Sequence, residues 1–294
     1  MTEPIGDRPT VNPQMVNAQT AELQIFLDVA TEAALTGGAI LQAFTGKLEQ
    51  IQEKGRPGDL VTEADKAAEA AILEIIRRHF PSHAILAEES GRSGDEGDWL
   101  WAIDPLDGTT NYAHQYPAYC CSIGLLVKGI PQVGVIFDPF RQELFRAATG
   151  LGATCNRRSI RVSQTEHLRQ SLLVTGFAYD RHQTPDNNYA EFCHFTHLTQ
   201  GVRRSGSAAL DLAYVACGRL DGFWERGLSP WDMVAGVVLV RESGGEVTAY
   251  DRSSFVLESG RILATNGRIH QEISQELLQV KPLVDSSHLP SLKT

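Results

Sequence analysis

Apolar residues recur at helical spacing through Leu23, Phe26, Leu27, Ala30, Ala34, Leu41 and Phe44, which predicts an amphipathic helix from about Gln19 to Phe44. Gly37 and Gly38 are expected to interrupt it, and Gly46 to end it. The turn-rich link "EKGRPGDLVTEAD" follows, with Thr62 placed to cap a second helix through Ala67, Ala71, Ile72, Ile75 and Ile76 that stops before Pro81. The period then shortens: "AILAEES", "WLWAIDP", "CCSIGLLV", "QVGVIFDP" and "ELFRAAT" read as strands, several joined by glycine or proline turns, in a mostly antiparallel set. After "SLLVTGF" the pattern alternates. Helices are expected near Asn188 to Leu198, from Ser207 to Cys217, from Ser229 to Glu242 and from His270 to Leu278. Strands are expected at "VRRSG", "DGFWERG", "GEVTAYD" and "RILATN". Helix pairs and sheets in alternating blocks predict an α/β fold of stacked layers with two sheets, not one doubly wound sheet.

Composition changes the picture little. The 294 residues are 42% hydrophobic and 21% charged, which suits one large domain or two lobes sharing a core and excludes wholesale disorder. We expect a flexible segment over 1–18, one domain over 19–280 with lobes at about 19–165 and 166–280, and a C-terminal tail over 281–294 without regular structure. A formal net charge of -10 argues against nucleic acid or an anionic membrane as the main partner. An anionic substrate would need a positive group that the chain itself does not supply. Five cysteines, an odd number with no C-x-x-C pair, read as reduced packing residues in a cytosol. The first twenty residues lack an apolar core of the kind a leader carries, and no stretch is expected to reach membrane-spanning length, so a cytoplasmic location is expected.

The candidate chemistry sits in acids that stand where strands end or helices begin. These are Glu88 and Glu89 closing "ILAEES", Asp104 and Asp107 in "WAIDPLDGTTN", and Asp232 in "SPWDMVAG". A buried strand that delivers carboxylates to its own exit is costly unless a cation or a hydrogen-bond network meets them. Magnesium takes one or two protein carboxylates per ion and completes its octahedron with water and phosphate oxygens, so such a set suits two ions sharing a bridging aspartate. Each acid alone has a plainer reading. Asp232 suits a helix start through the macrodipole, the Glu pair could be a solvated strand end, and Asp65 could complete a capping box with Thr62. The stretch from Asp104 to Thr110 is more specific: Pro105 stiffens the exit, Gly108 lets backbone approach a ligand, and N–H groups there could cradle an anion.

With "EES" upstream and "PWDMVAG" downstream, "DPLDGTTN" resembles the inositol monophosphatase family of magnesium-dependent, lithium-sensitive phosphatases. The likeness runs from about Leu23 to Leu278 and includes "GDLVTEAD", "RSGSAALDLAYVACGRLDGFWERGLSPWD" and "RESGGEV" in the family's order. It implies a layered αβαβα sandwich, a homodimer, and Mg2+ held in two or three places. Glu88, Asp104 and the Leu106 carbonyl would hold the first ion, and Asp104, Asp107 and Asp232 the second, with a weaker third ion near Glu88. Asp65 would hydrogen-bond Thr109, and that pair with Glu88 would orient and activate the water that attacks phosphorus. Lys54 and Glu89 would support the site. The phosphate would rest on Gly108 and Thr109, and a hydroxylated ring on Asp107, Gly206, Ser207, Ala208 and Glu225. The implied substrate is a small phosphorylated polyol, myo-inositol monophosphate first. An ionised carboxylate at Glu225 would accept hydrogen bonds from such hydroxyls. Two or three Mg2+ would reverse the roughly -4 of four carboxylates, so an acidic protein could still bind a phosphate monoester.

Three rivals remain on the sequence. The aspartyl-phosphate phosphatases place one residue between nucleophile and general acid, whereas Asp104 and Asp107 have two between them. Within the superfamily, fructose-1,6-bisphosphatase, 3'-phosphoadenosine 5'-phosphate phosphatase, and histidinol- or galactose-phosphate phosphatases compete on substrate. A non-catalytic binding protein is the third. His182, His194 and His197 are expected at the surface or in a dimer contact, and Trp99, Trp101, Trp224 and Trp231 to pack the sheets or line the pocket. Arg203 and Arg204 could reach substrate or a neighbouring subunit.

Overall fold

The computed structural model describes residues 13–55 and 58–282. The first helix, α1 (Pro13–Phe44), leads to a small hairpin of β1 (Ile51–Glu53) and β2 (Leu60–Thr62), then α2 (Glu63–His79). Next come β3 (Ala84–Ala87), β4 (Gly91–Ser93), β5 (Trp99–Asp107), the short α3 (Thr109–Ala113), β6 (Cys120–Val127), β7 (Ile130–Asp138), β8 (Glu143–Ala148), β9 (Gly152–Cys155) and β10 (Arg158–Ser159). The C-terminal part runs β11 (Leu172–Thr175), α4 (Tyr189–Leu198), β12 (Gly201–Arg203), α5 (Ala208–Ala216), β13 (Gly222–Arg226), α6 (Pro230–Glu242), β14 (Glu246–Thr248), β15 (Arg261–Thr265) and α7 (His270–Gln279). Expected segments 1–18 and 281–294 lie largely outside the described residues; α1 begins at Pro13, earlier than the spacing suggested.

Strands β10-β9-β8-β7-β6-β5-β3-β4 form an eight-stranded sheet, antiparallel except where β3 runs parallel to β5. A five-stranded sheet has the order β12-β11-β13-β15-β14, with β11 parallel to both neighbours. One apolar cluster joins α1 and α2 to one face of the larger sheet through Phe26, Ile72, Ile76, Trp101, Ile123 and Val135. A second places α5 and α6 between the two sheets, gathering Ile136 and Phe145 with Leu212, Val238, Phe223 and Ile262. A third covers the far face of the smaller sheet with α4 and α7 through Phe195, Trp224 and Ile273. The layers therefore read α, β, α, β, α, the expected sandwich.

Glycines set the layer spacing. A Cβ at Gly134 would stand 2.2 Å from the Ala235 carbonyl oxygen, and one at Gly124 2.4 Å from Val234, so α6 rests directly on the backbone of β6 and β7. The same contact explains a departure from the sequence reading: α1 is not interrupted at Gly37 and Gly38. A Cβ at Gly38 would meet the Phe137 ring at 2.3 Å and one at Gly37 would meet Ile72 at 2.8 Å. Close packing outweighs the roughly 1 kcal/mol that each glycine costs a helix interior. By length and composition alone, Thr20–Phe44 could cross a membrane, contrary to the expectation that no stretch would; 50% of its apolar window is buried against α2 and the larger sheet, as in a core helix.

Candidate functional site

Side chains three apart on a regular strand face opposite ways, so Asp104 and Asp107 need a break in β5 to share a cavity. The ladder supplies it: Asp104 pairs with Ser122 and Asp107 with Cys120, which inserts one extra residue on β5 at Pro105–Leu106. Proline cannot donate to a ladder, which suits it to such a bulge. The Leu106 amide donates to Asp104 Oδ1 at 2.9 Å. Gly108 then turns the chain at φ 97°, where a Cβ would stand 2.8 Å from the Ala118 carbonyl oxygen, and α3 begins. Thr109 donates its hydroxyl to the Leu106 carbonyl (3.0 Å) and to Asp65 Oδ1 (3.1 Å). The other oxygen of Asp65 accepts from the Thr62 amide at 2.9 Å, completing the capping box of α2.

Asp232 has the same local origin. Ser229 caps α6, Pro230 fits the first turn, and the Ser229 amide donates to Asp232 Oδ2 at 2.7 Å. Asp107 Oδ2 is held by the start of α5, accepting from Ser207 Oγ (2.8 Å) and from the Ala209 amide (2.7 Å). Glu88 leaves the end of β3 and accepts from Lys54 Nζ at 2.8 Å; Lys54 also donates to Glu89. Each of Glu88, Asp104, Asp107 and Asp232 thus ties one oxygen to a protein donor, and the Asp104 carboxyl also shares side-chain hydrogen bonds with Glu88 and Asp232.

These groups surround one cavity of about 680 Å³. Of the residues singled out in the sequence, Lys54, Glu88, Asp104, Leu106, Asp107, Gly108, Thr109, Gly206, Ser207, Ala208, Glu225 and Asp232 line it. Asp65 and Glu89 do not; they stand behind Thr109 and Lys54 as supports. The Glu225 carboxylate enters the wall only because Gly176 has no side chain, a Cβ there lying 2.2 Å from its oxygen. Sequence reasoning missed Asn111, whose amide donates to the Ala118 carbonyl (2.6 Å) and the Ser205 carbonyl (2.7 Å), tying the turn after Asp107 to the segment before α5. It also missed Arg181 and Asp211 in the wall. Among the wider expectations, Trp101 and Trp224 are buried, Trp231 lines the cavity, and His194 pairs with Glu276 at 2.7 Å. All five cysteines are free, with Cys120 and Cys121 buried.

Burial, reinforced by the charges of Glu88, Asp107 and Asp232, holds the Asp104 carboxyl well above the usual carboxylate range. Asp232 is raised in the same way, by burial first and Asp107 next. Burial outweighs the Ser207 and Ala209 hydrogen bonds and pushes Asp107 up to about 6. Glu88 is raised by burial, with Lys54 pulling the other way. Burial works against the Lys54 ammonium, yet Glu88 and Glu89 outweigh it and raise its pKa. Among the described residues no three of these acids are already closed into a ligand set. The donor set fits a hard divalent ion: oxygens only, from three segments, with each carboxylate anchored by a protein donor.

A model of the inositol monophosphatase family matches residues 22–281. The chain is 68% identical over 258 residues to an inositol-1-monophosphatase of Synechocystis, covering 87% of this chain and 90% of that protein. It is 43% identical over 278 residues to the Nus factor SuhB of Pseudomonas aeruginosa, covering 92% of this chain and all (100%) of the relative. The solved inositol monophosphatase of Anabaena superposes with a TM-score of 0.83 at 68% identity, covering 89% of this chain and 98% of that one.

Proposed function

Because the chain belongs to the inositol monophosphatase family, we propose that its cavity hydrolyses a phosphate monoester of a small polyol, myo-inositol monophosphate first, releasing the polyol and phosphate. The observation that carries this reading is the convergence of Glu88, Asp104, Asp107 and Asp232 on the cavity that Thr109 and Glu225 also line. Family membership implies a divalent metal; we take it to be Mg2+, two or three ions. Glu88, Asp104 and the Leu106 carbonyl would hold one ion and Asp104, Asp107 and Asp232 another, Asp104 serving both. Bound there, Mg2+ supplies the positive charge an acidic cavity needs to accept phosphate and lowers the pKa of the attacking water.

The chain's own groups do the positioning. Thr109, locked by its hydrogen bonds to Asp65 and the Leu106 carbonyl, presents its hydroxyl oxygen as an acceptor that orients the water. Glu88 is the nearby base for the water's proton, with Lys54 holding its other oxygen. Asp107 is kept in place by the start of α5, so one carboxylate joins the phosphate side of the cavity to Gly206, Ser207 and Ala208. The N–H groups after Asp107, at Gly108 and Thr109, would receive phosphate oxygens, and Glu225 would accept from ring hydroxyls. No covalent enzyme intermediate is required. Residues 19–280 act as one domain, and we expect a cytoplasmic homodimer inhibited by lithium.

The test is phosphate release from inositol 1-phosphate, fructose 1,6-bisphosphate and adenosine 3',5'-bisphosphate, each with and without Mg2+. Mg2+-dependent release, fastest from inositol 1-phosphate, is the expected result. No Mg2+-dependent release from any of the three would refute the reading.

A further inference from the structure

Asp211 sits in α5 at 1% exposure, and its Oδ1 is buried without a hydrogen-bond partner. The only other buried side-chain oxygen or nitrogen in that condition among the described residues is Arg146 Nε, which is not part of the cavity lining. Native proteins rarely leave a buried acceptor unmatched, because it has given up hydration without return. Asp211 is part of the cavity wall, as is Glu225; Ser205 donates to the Asp211 carboxyl, yet Oδ1 stays unmatched. Two carboxyl groups from different elements, α5 and β13, therefore stand in one wall, and one oxygen of Asp211 has no donor. Arg204 shares this wall and draws on both acids, so the wall is not a bare negative patch awaiting an ammonium.

We propose that Asp211 is a specificity-determining residue that accepts a hydrogen bond from one substrate hydroxyl while Glu225 accepts from its neighbour, so that the pair reads two adjacent hydroxyls of a polyol. The terminal torsion of an aspartate is broad, so either oxygen can turn to the ligand. A site built around a substrate hydroxyl discriminates strongly against analogues that lack it, since its acceptor is then left buried and unmatched. This inference rests on the phosphatase reading of the same cavity.

Asp211→Ala and Asp211→Asn would be compared with the unaltered protein on inositol 1-phosphate and on phenyl phosphate, which has no hydroxyls, with Mg2+ present. In Asp211→Ala the ratio of kcat/KM for inositol 1-phosphate to that for phenyl phosphate should fall at least about tenfold, carried by KM. Asp211→Asn, which keeps a carbonyl acceptor, should recover most of it. Should Asp211→Ala melt early, Asp211→Ser carries the comparison. An unchanged ratio, or an equal loss on both substrates, would overturn the role of Asp211 and leave the phosphatase reading intact. So would a preference of the unaltered protein for 2-aminoethyl phosphate that Asp211→Ala abolishes, since the wall would then be reading an amine. If the unaltered protein hydrolyses none of these esters with Mg2+, the phosphatase reading itself fails and takes the inference with it.

Discussion

Among single residues, Asp104 has the most consequences, because three other acids act on it and the Leu106 amide fixes one of its oxygens. Asp104→Asn keeps the size and the hydrogen bond from Leu106 but removes the charge. Turnover of inositol 1-phosphate should drop by about 10²–10³-fold or more, while the melting temperature stays at or above that of the unaltered protein in metal-free buffer. Retained turnover would show the bridge to be misassigned. His83 offers a separate test of pH dependence. It stacks on Trp99 with ring centroids 4.9 Å apart and on Phe80 at 4.8 Å, and Trp101 Nε1 donates to its Nδ1 at 3.1 Å. Burial lowers its pKa from the model-compound value of 6.5, so the unfolded chain binds the proton first as pH falls. Its contribution is complete above about 6.5 and is lost on the acid side. The stability difference between the unaltered protein and His83→Phe, from urea unfolding, should therefore shrink between pH 7.5 and 5.5. The acids of the site were legible in the sequence because charge at the end of an apolar run demands a reason. Asn111 and Asp211 were not: one acts through two backbone carbonyls that only the fold brings near, and the other looks like any polar position on a helix.

At the level of elements, two capping boxes explain why Asp65 and Asp232 stand where they do. Each is the third residue of its helix and returns a hydrogen bond to its cap, at Thr62 and Ser229. That part of the geometry was readable, since a Ser or Thr followed three residues later by an acid announces a helix start. The bulge in β5 was not. Pro105 hinted at a break in pairing, but the ladder partner of a strand is not written in the strand. Short elements such as β4, α3, β9 and β10 also escaped, being too brief to show a period. Gly37 and Gly38 misled because a glycine reads alike whether it breaks a helix or lets a neighbour approach. Gly134 makes the distinction testable: Gly134→Val would drive side chain into the backbone of α6 at Ala235. We expect a loss of about 1–3 kcal/mol or more, read as a fall of several degrees in melting temperature by calorimetry. An unchanged melting temperature would mean that α6 can back away from the sheet.

On the scale of the molecule, a chain with a net charge of -10 concentrates several acids around one cavity, a local charge that Lys54, Arg181 and Arg204 offset in part and bound cations would offset further. Mg2+ at about 100 times its dissociation constant should add about 2.7 kcal/mol to stability. Its titration should raise the melting temperature of the unaltered protein and do so far less in Asp104→Asn. The layered architecture was legible from the alternation of periods along the chain, whereas the crossing of strands into an eight-stranded and a five-stranded sheet required long-range pairing that no local pattern records. The middle layer has one further consequence. Residues Met233–Val240 of α6 are buried on every side between the two sheets, and α5 and α6 together carry the clamp on Asp107 and the carboxylate of Asp232. In deuterated water their amides should exchange only when the entire protein opens, so this wall of the catalytic chamber should be as long-lived as the native state itself.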